Sequence, residues 1–309
     1  MSLDKLIEKI VQTGNPTVIG LDPRLEYIPG FIKRKAFKEN GETLKGAAKA
    51  IFKFNRGIID AVCDVVPAIK PQAAYYEMFG WPGVKALVKT IQYARNKGMY
   101  VITDGKRNDI GATMEAYADA HLSGVQVGAQ VLEPFGADAL TVNGYLGSDG
   151  IEPLLKVCGE KDKGIFVLVK TSNPSSGELQ DQKIDGEPVY AKMGDLCEKW
   201  GEALPGKYGY SGVGAVVGAT YPEQLAEMRE RLPHTFFLVP GYGAQGGGAE
   251  GVAKAFDSRG LGAIVNSSRA VMCAYQKDGC SEEEYAMAAL KEVVRMKKDI
   301  LTHLNGIRF

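Results

Sequence analysis

Eight short apolar runs, separated by segments of helical periodicity, recur along the whole chain. They are Thr17–Asp22, Val65–Lys70, Met99–Thr103, Ala137–Asn143, Gly164–Lys170, Val213–Gly218, Thr235–Val239 and Ala263–Asn266. Most are continuous rather than alternating in hydrophobicity, the mark of strands buried on both faces, as in a parallel sheet. Between them, Ile51, Phe54, Ile58 and Val62 share one face of a helix over 47–62, and Val84, Leu87, Val88 and Ile91 repeat at i, i+3, i+4, i+7. Further helices are predicted over 112–127, 149–157 and 190–204. Another follows Pro222, placed where its missing N–H costs little. A last one opens on the Ser281/Glu284 capping pattern and shows Leu290, Val293 and Val294 to the core. Polar segments 23–43 and 174–188 read as loops, long ones for this kind of connection. The alternation predicts an α/β fold: a (β/α)8 TIM barrel, a single domain over 1–309, with an extra N-terminal helix. A doubly wound open sheet is the structural alternative, but it would not require eight units, and no G-x-G-x-x-G follows the first run.

Bulk properties remove several functions. The 309 residues suit one such barrel, and Lys+Arg and Asp+Glu both total 37, so no basic field exists to hold nucleic acid. No apolar run approaches the roughly 20 residues of a membrane helix. The first twelve residues form a short amphipathic helix without the apolar centre of a signal peptide. Five scattered cysteines without C-x-x-C spacing argue against a disulfide framework and a structural zinc site, and fit a reducing cytoplasm. Three histidines, far apart, show no metal-ligand spacing.

In a barrel of this kind the site lies where the strands end. Here the runs end in Asp22, Lys70, Asp104 with Lys106, Asn143, Thr171-Ser172 and Ser268-Arg269. Any one of these is explained by capping or solvation; the set points to a shared site. The densest stretch follows the third run, where Asp104, Lys106, Arg107 and Asp109 fall within six residues. Asp104 and Lys106 are two apart and point the same way on an extended chain. Gly105 between them leaves room for a ligand. An isolated D-x-K-x-x-D reads first as a surface turn with a salt bridge, and it is the rest of the chain that turns the reading toward a site. After the seventh run comes a glycine-rich loop, Pro240–Gly248, and after the eighth Arg269, the positions where barrels commonly hold a phosphate on backbone N–H groups. The triple glycine 246–248 read alone is a flexible linker. The residues by themselves lead to a barrel enzyme using Lys/Asp chemistry on a small phosphorylated substrate, or to a non-catalytic nucleotide-binding module.

The motifs Asp104-Gly105-Lys106-Arg107-Asn108-Asp109-Ile110-Gly111-Ala112-Thr113, Lys170-Thr171-Ser172-Asn173-Pro174 and Pro240-Gly241-Tyr242-Gly243-Ala244-Gln245-Gly246-Gly247 together resemble the orotidine 5′-phosphate decarboxylases. The long segments after Asp22 and Asn173 resemble the longer bacterial branch. The D-x-K-x-x-D pattern is shared with metal-dependent keto-gulonate phosphate decarboxylases and hexulose phosphate synthases, from which the T-S-N-P and G-A-Q-G-G segments separate this chain. Gly105 and Asn108 stand where relatives often carry alanine and glycine. The resemblance implies cofactor-free decarboxylation of orotidine 5′-phosphate to uridine 5′-phosphate, the last step of pyrimidine biosynthesis, in a cytoplasmic homodimer. It implies that Lys70, Asp104, Lys106 and Asp109 form the charged catalytic network, with Lys106 stabilising and protonating the carbanion at C6. It further implies that Asp22 binds a ribose hydroxyl, that Ser172 meets the pyrimidine, and that Gln245, Arg269 and amides near Gly241 and Gly243 hold the phosphate. Asp109 and Thr113 would come from the partner subunit.

Overall fold

The computed structural model describes residues 2–243, 246–277 and 279–308. Eight parallel strands close a barrel: β1 (Thr17–Leu21), β2 (Ala68–Pro71), β3 (Tyr100–Arg107), β4 (Ala139–Val142), β5 (Gly164–Lys170), β6 (Val213–Val217), β7 (Phe237–Val239) and β8 (Ala263–Ser267). Each strand neighbours the next, and β8 pairs with β1 through Thr17–Val265 and Ile19–Ser267. All eight fall within or against the predicted apolar runs. The expected single barrel is therefore what forms.

The N-terminal helix α1 (Ser2–Thr13) closes the bottom. Leu3, Leu6, Ile7 and Ile10, spaced on one face, lie among Val18, Tyr100, Ile102, Phe166 and Phe236 in one buried cluster. With that end plugged, only the carboxyl ends of the strands open to solvent. Covering helices pack outside. Helix α3 (Leu44–Val62), capped by Thr43 accepting from the Gly46 N–H at 3.1 Å, buries Ile51, Phe54, Ile58 and Val62 as their spacing predicts. The final helix is preceded by the capping box of Ser281 and Glu284.

Three predicted segments differ. The loop expected over 23–43 contains helix α2 (Gly30–Asn40), which buries only Ile32 and Ala36 and so carries little apolar signal. The helix expected over 112–127 runs only from Gly111 to Ala118, continues as a wider turn to Ser123, and stops at Gly124, whose φ of 120° no helix accommodates. Val125–Val127 then pairs antiparallel with Gln130–Leu132. The β-branched valines favour this extended form. The loop expected over 174–188 holds a one-turn helix, Gly177–Gln180, and a hairpin, Lys183–Ile184 with Glu187–Pro188. Its turn is Asp185-Gly186, both at positive φ, the usual chemistry of a two-residue hairpin.

Candidate active site

One cavity of about 900 Å³ opens at the carboxyl end of the barrel, and every strand or the residues just after it reaches its wall. Asp22, Lys70, Asp104, Lys106, Ser172, Gly241 and Arg269 all line it, so most of the predicted site is brought together. The lower wall is apolar, from Leu168, Val216 and Leu238.

The centre of the wall is Asp104. Its Oδ2 accepts from Lys70 Nζ at 2.6 Å and from Gln72 Nε2 at 3.0 Å. Its Oδ1 accepts from Lys106 Nζ at 2.6 Å and from the Thr141 hydroxyl at 2.8 Å. A carboxylate offers about four lone-pair sites, and here each has a donor. Burial alone would push the Asp104 carboxyl up, but the Lys70 and Lys106 ammoniums outweigh it and hold the group well below the usual carboxylate range. Burial likewise pulls Lys70 down, and the charges of Asp104 and Asp22 reverse that and leave it above an ordinary lysine. Lys70 is 5% exposed while Lys106 is 45% exposed, so one ammonium is locked into the wall and the other stands in the cavity.

Local strain aims Lys106. The pairing of β3 with β4 shifts register between Thr103 and Arg107, and Lys106 sits at φ 48°. A left-handed lysine costs about 1–2 kcal/mol. The Thr141 hydroxyl accepts from the Lys106 N–H at 3.0 Å and helps hold that conformation. Thr141 therefore fixes both ends of the motif, the backbone of Lys106 and the carboxylate of Asp104. Gly105 does not face the ligand space as its position suggests; a Cβ there would meet Leu140 Cδ1 at 3.1 Å.

Asp22 is dry. Burial raises its carboxyl above the usual range, opposed by Lys70, and its Oδ1 has no hydrogen-bond partner. A buried acceptor without a donor costs about 1–3 kcal/mol, which a ligand hydroxyl would relieve. Gly20 lets β1 approach β8 here, since a Cβ would lie 1.8 Å from Ser268 Oγ. Arg269 opens a short helix just after β8 and reaches the cavity three strands round the barrel from β3. Gly241, at φ 98°, lines the wall, while Gly243 lies beyond it and spends its N–H on the Gly247 carbonyl at 2.9 Å. Gln245 lies outside the described residues.

Asp109 and Thr113 are not part of this cavity wall. Asp109 Oδ1 accepts from the Ile110 N–H at 2.8 Å, and Thr113 is exposed on the helix that follows. Asn143, flagged as a strand end, instead accepts from the Tyr145 N–H at 2.9 Å. Gln72, Thr141, Gln180 and Asn266 line the cavity without having been singled out. Only the two-residue spacing of Gln72 from Lys70 offered a signal in the sequence.

The chain matches the model of the family described as orotidine 5′-phosphate decarboxylase / HUMPS over residues 42–280. It is 47% identical over 280 residues to the orotidine 5′-phosphate decarboxylase of Rhodopirellula baltica, covering 91% of this chain and 89% of that one. It is 40% identical to that of Clostridium tetani, covering 99% and 100% of the two chains. The solved structure of Leishmania donovani OMP decarboxylase superposes with a TM-score of 0.72 at 28% identity, covering 96% of this chain and 99% of that one. Fold, cavity and sequence thus agree: the chain belongs to the orotidine 5′-phosphate decarboxylase / HUMPS family.

Proposed function

We propose that the chain decarboxylates orotidine 5′-phosphate to uridine 5′-phosphate, with Lys106 as the acid and no cofactor taking the electrons. The observation that carries this reading is the saturated Asp104 carboxylate, holding one ammonium in the wall and presenting a second to the cavity. The C6–carboxylate bond breaks heterolytically, CO₂ leaves and the electron pair stays on C6. The Lys106 ammonium stabilises that pair and then delivers its proton to C6. Solvent returns the proton to the amine.

Asp104 sits beside the departing carboxylate in this arrangement, and repulsion between the two helps. Two charges about 4 Å apart at an effective dielectric near 20 interact by only about 4 kcal/mol, whereas enzymes lower barriers by about 8–23 kcal/mol. Stabilisation of the carbanion by a preplaced ammonium is therefore the larger contribution. With all four acceptor sites of Asp104 filled by donors, a metal ion would have to displace one of Lys70, Gln72, Lys106 and Thr141. This favours the metal-independent reading over sugar-phosphate decarboxylase or aldolase chemistry.

At the other end of the substrate, Arg269 supplies a forked charge to the phosphate, with the Gly241 amide on the same cavity wall, and the family resemblance adds Gln245 to this role. Asp22 takes a ribose hydroxyl and Ser172 the pyrimidine. The working unit is a homodimer in the cytoplasm, in which Asp109 and Thr113 complete the partner's site. Their place outside the cavity wall supports this, as do the exposed Ile110, next to Asp109 in the chain, and the exposed Leu146, which flanks Gly150 together with the Asp109 carbonyl. Orotidine 5′-phosphate and its product absorb differently in the ultraviolet, so purified protein with substrate gives a direct test. A steady absorbance change with release of CO₂ supports the enzyme; tight nucleotide binding with no change makes the chain a binding module.

A further inference from the structure

Lys170 ends β5 with its side chain wholly buried, and the mechanism above gives it no part. Its Nζ lies 2.6 Å from Asp181 Oδ1, with the rings of Tyr221 and Tyr190 at 4.7 and 5.6 Å. A buried ammonium needs a counter-charge. That charge comes from the 174–188 segment, so the ion pair ties the segment back to the strand end that carries Ser172.

The neighbour of Asp181 does the finer work. Gln180 Oε1 accepts from the Thr171 N–H at 2.9 Å, and Gln180 Nε2 donates to the Thr171 hydroxyl at 2.8 Å. The Thr171 hydroxyl has one proton, and it goes to Asn173 Oδ1 at 2.6 Å. Asn173 Nδ2 then donates to Ser175 Oγ at 3.3 Å. The donors run one way along this chain of groups. Ser172 sits between the two clamped residues and is held from behind as well. Thr220 Oγ1 donates to its carbonyl at 3.3 Å, and a Cβ on Gly218 would lie 3.0 Å from its N, Cα and Cβ. Thr171, Ser172, Asn173 and Gln180 all reach the cavity wall.

We propose that Gln180, backed by the Lys170–Asp181 pair, is a positioning residue for the base: it fixes the Thr171–Asn173 turn so that Ser172 meets the pyrimidine. This rests on the decarboxylase reading, in which Ser172 faces the ring. Gln180 acts on the base end of the ligand: Gly241 follows β7 and Arg269 follows β8, two and three strands along the barrel from β5, and among the described residues neither hydrogen-bonds the Thr171–Asn173 turn.

The experiment compares two ligands of the intact protein, uridine 5′-phosphate and ribose 5-phosphate, by calorimetry, alongside KM and kcat. Gln180→Ala removes two hydrogen bonds and should weaken uridine 5′-phosphate about 10-fold while leaving ribose 5-phosphate within about twofold. Gln180→Glu has nearly the same shape and can still accept from the Thr171 N–H. Its carboxylate must also take the Thr171 hydroxyl proton, which Asn173 then loses, so it should not restore uridine 5′-phosphate binding. Asp181→Asn, which loosens the tether, should shift the two ligands in the same unequal sense. Equal weakening of both ligands, full restoration by Gln180→Glu, or unchanged uridine 5′-phosphate binding each overturns the proposal. A wild-type protein that binds uridine 5′-phosphate but releases no CO₂ overturns the decarboxylase reading, while the two-ligand comparison still judges Gln180.

Discussion

Removing the Asp104 side chain should destabilise the protein through Lys70 rather than Lys106. The two ammoniums are equally close to the carboxylate, at 2.6 Å each, but only Lys70 is sealed in the wall. In Asp104→Ala, Lys106 turns to water, while Lys70 keeps a charge with only the buried Asp22 near it, whose carboxyl burial raises above the usual range. Breaking a buried pair by deleting one partner costs about 3–5 kcal/mol. At roughly 2–3 °C per kcal/mol for a chain of this size, Tm should fall by about 6–15 °C at pH 7. The pH dependence has a definite sign. In the wild type the Lys70 pKa is raised, so its stabilising contribution is complete below the ordinary lysine value and fades only above it. In the variant, burial without Asp104 lowers that pKa, so the penalty shrinks as pH rises toward about 10. The gap between wild type and variant should therefore narrow from pH 7 to pH 10. Adding Lys70→Met should restore most of the lost stability in urea titrations with an unchanged m-value. Asp104→Asn, which keeps the shape, should show the same trend if Asp104→Ala does not fold. An Asp104→Ala protein as stable as wild type, or a double variant no better than the single, would refute the reasoning.

Arg269→Ala should lower kcat/KM by roughly 10- to 100-fold, the range of a charge-assisted contact of about 1.5–3 kcal/mol, and guanidinium added to the assay should restore part of the loss. Activity should persist in excess chelator, as measured by the absorbance assay; a loss reversed by Mg²⁺ would favour the metal-dependent relatives. Inactive Asp109→Ala and Lys106→Ala homodimers, mixed 1:1 under conditions of subunit exchange, should regain about a quarter of wild-type activity over the whole mixture when their sites are shared across the interface. Mixtures that stay inactive despite proven exchange would place Asp109 within its own subunit.

The strands were readable because a parallel barrel buries both faces and leaves runs such as Gly164–Lys170 uninterrupted. Their ends were readable for the same reason: a charge directly after such a run stands out, as at Asp22, Lys70 and Asp104. What stayed hidden depends on neighbours distant in the chain. Thr141 matters because β4 lies beside β3, a separation of 37 residues from Asp104. Lys170 ends its run like Lys70, yet it points to Asp181 and two tyrosine rings instead of Asp104. Helix Gly30–Asn40 escaped because it covers little core, and the Val125–Leu132 hairpin because its exposed valines fall within a stretch that also suits a helix. Gly243 illustrates the limit of motif reasoning: it lies beyond the cavity wall, and its N–H is already committed to Gly247.

The account turns on whether the Lys106 ammonium is the group that makes and protonates the carbanion. Single-turnover decarboxylation by Lys106→Ala, with saturation by substrate verified and uridine 5′-phosphate binding measured in parallel, tests this most directly. The account predicts a nucleotide that still binds within about 10-fold and a chemical step slowed at least about 1,000-fold, the scale of general acid and electrostatic contributions taken together. A chemical step within a few-fold of wild type in that variant would contradict it.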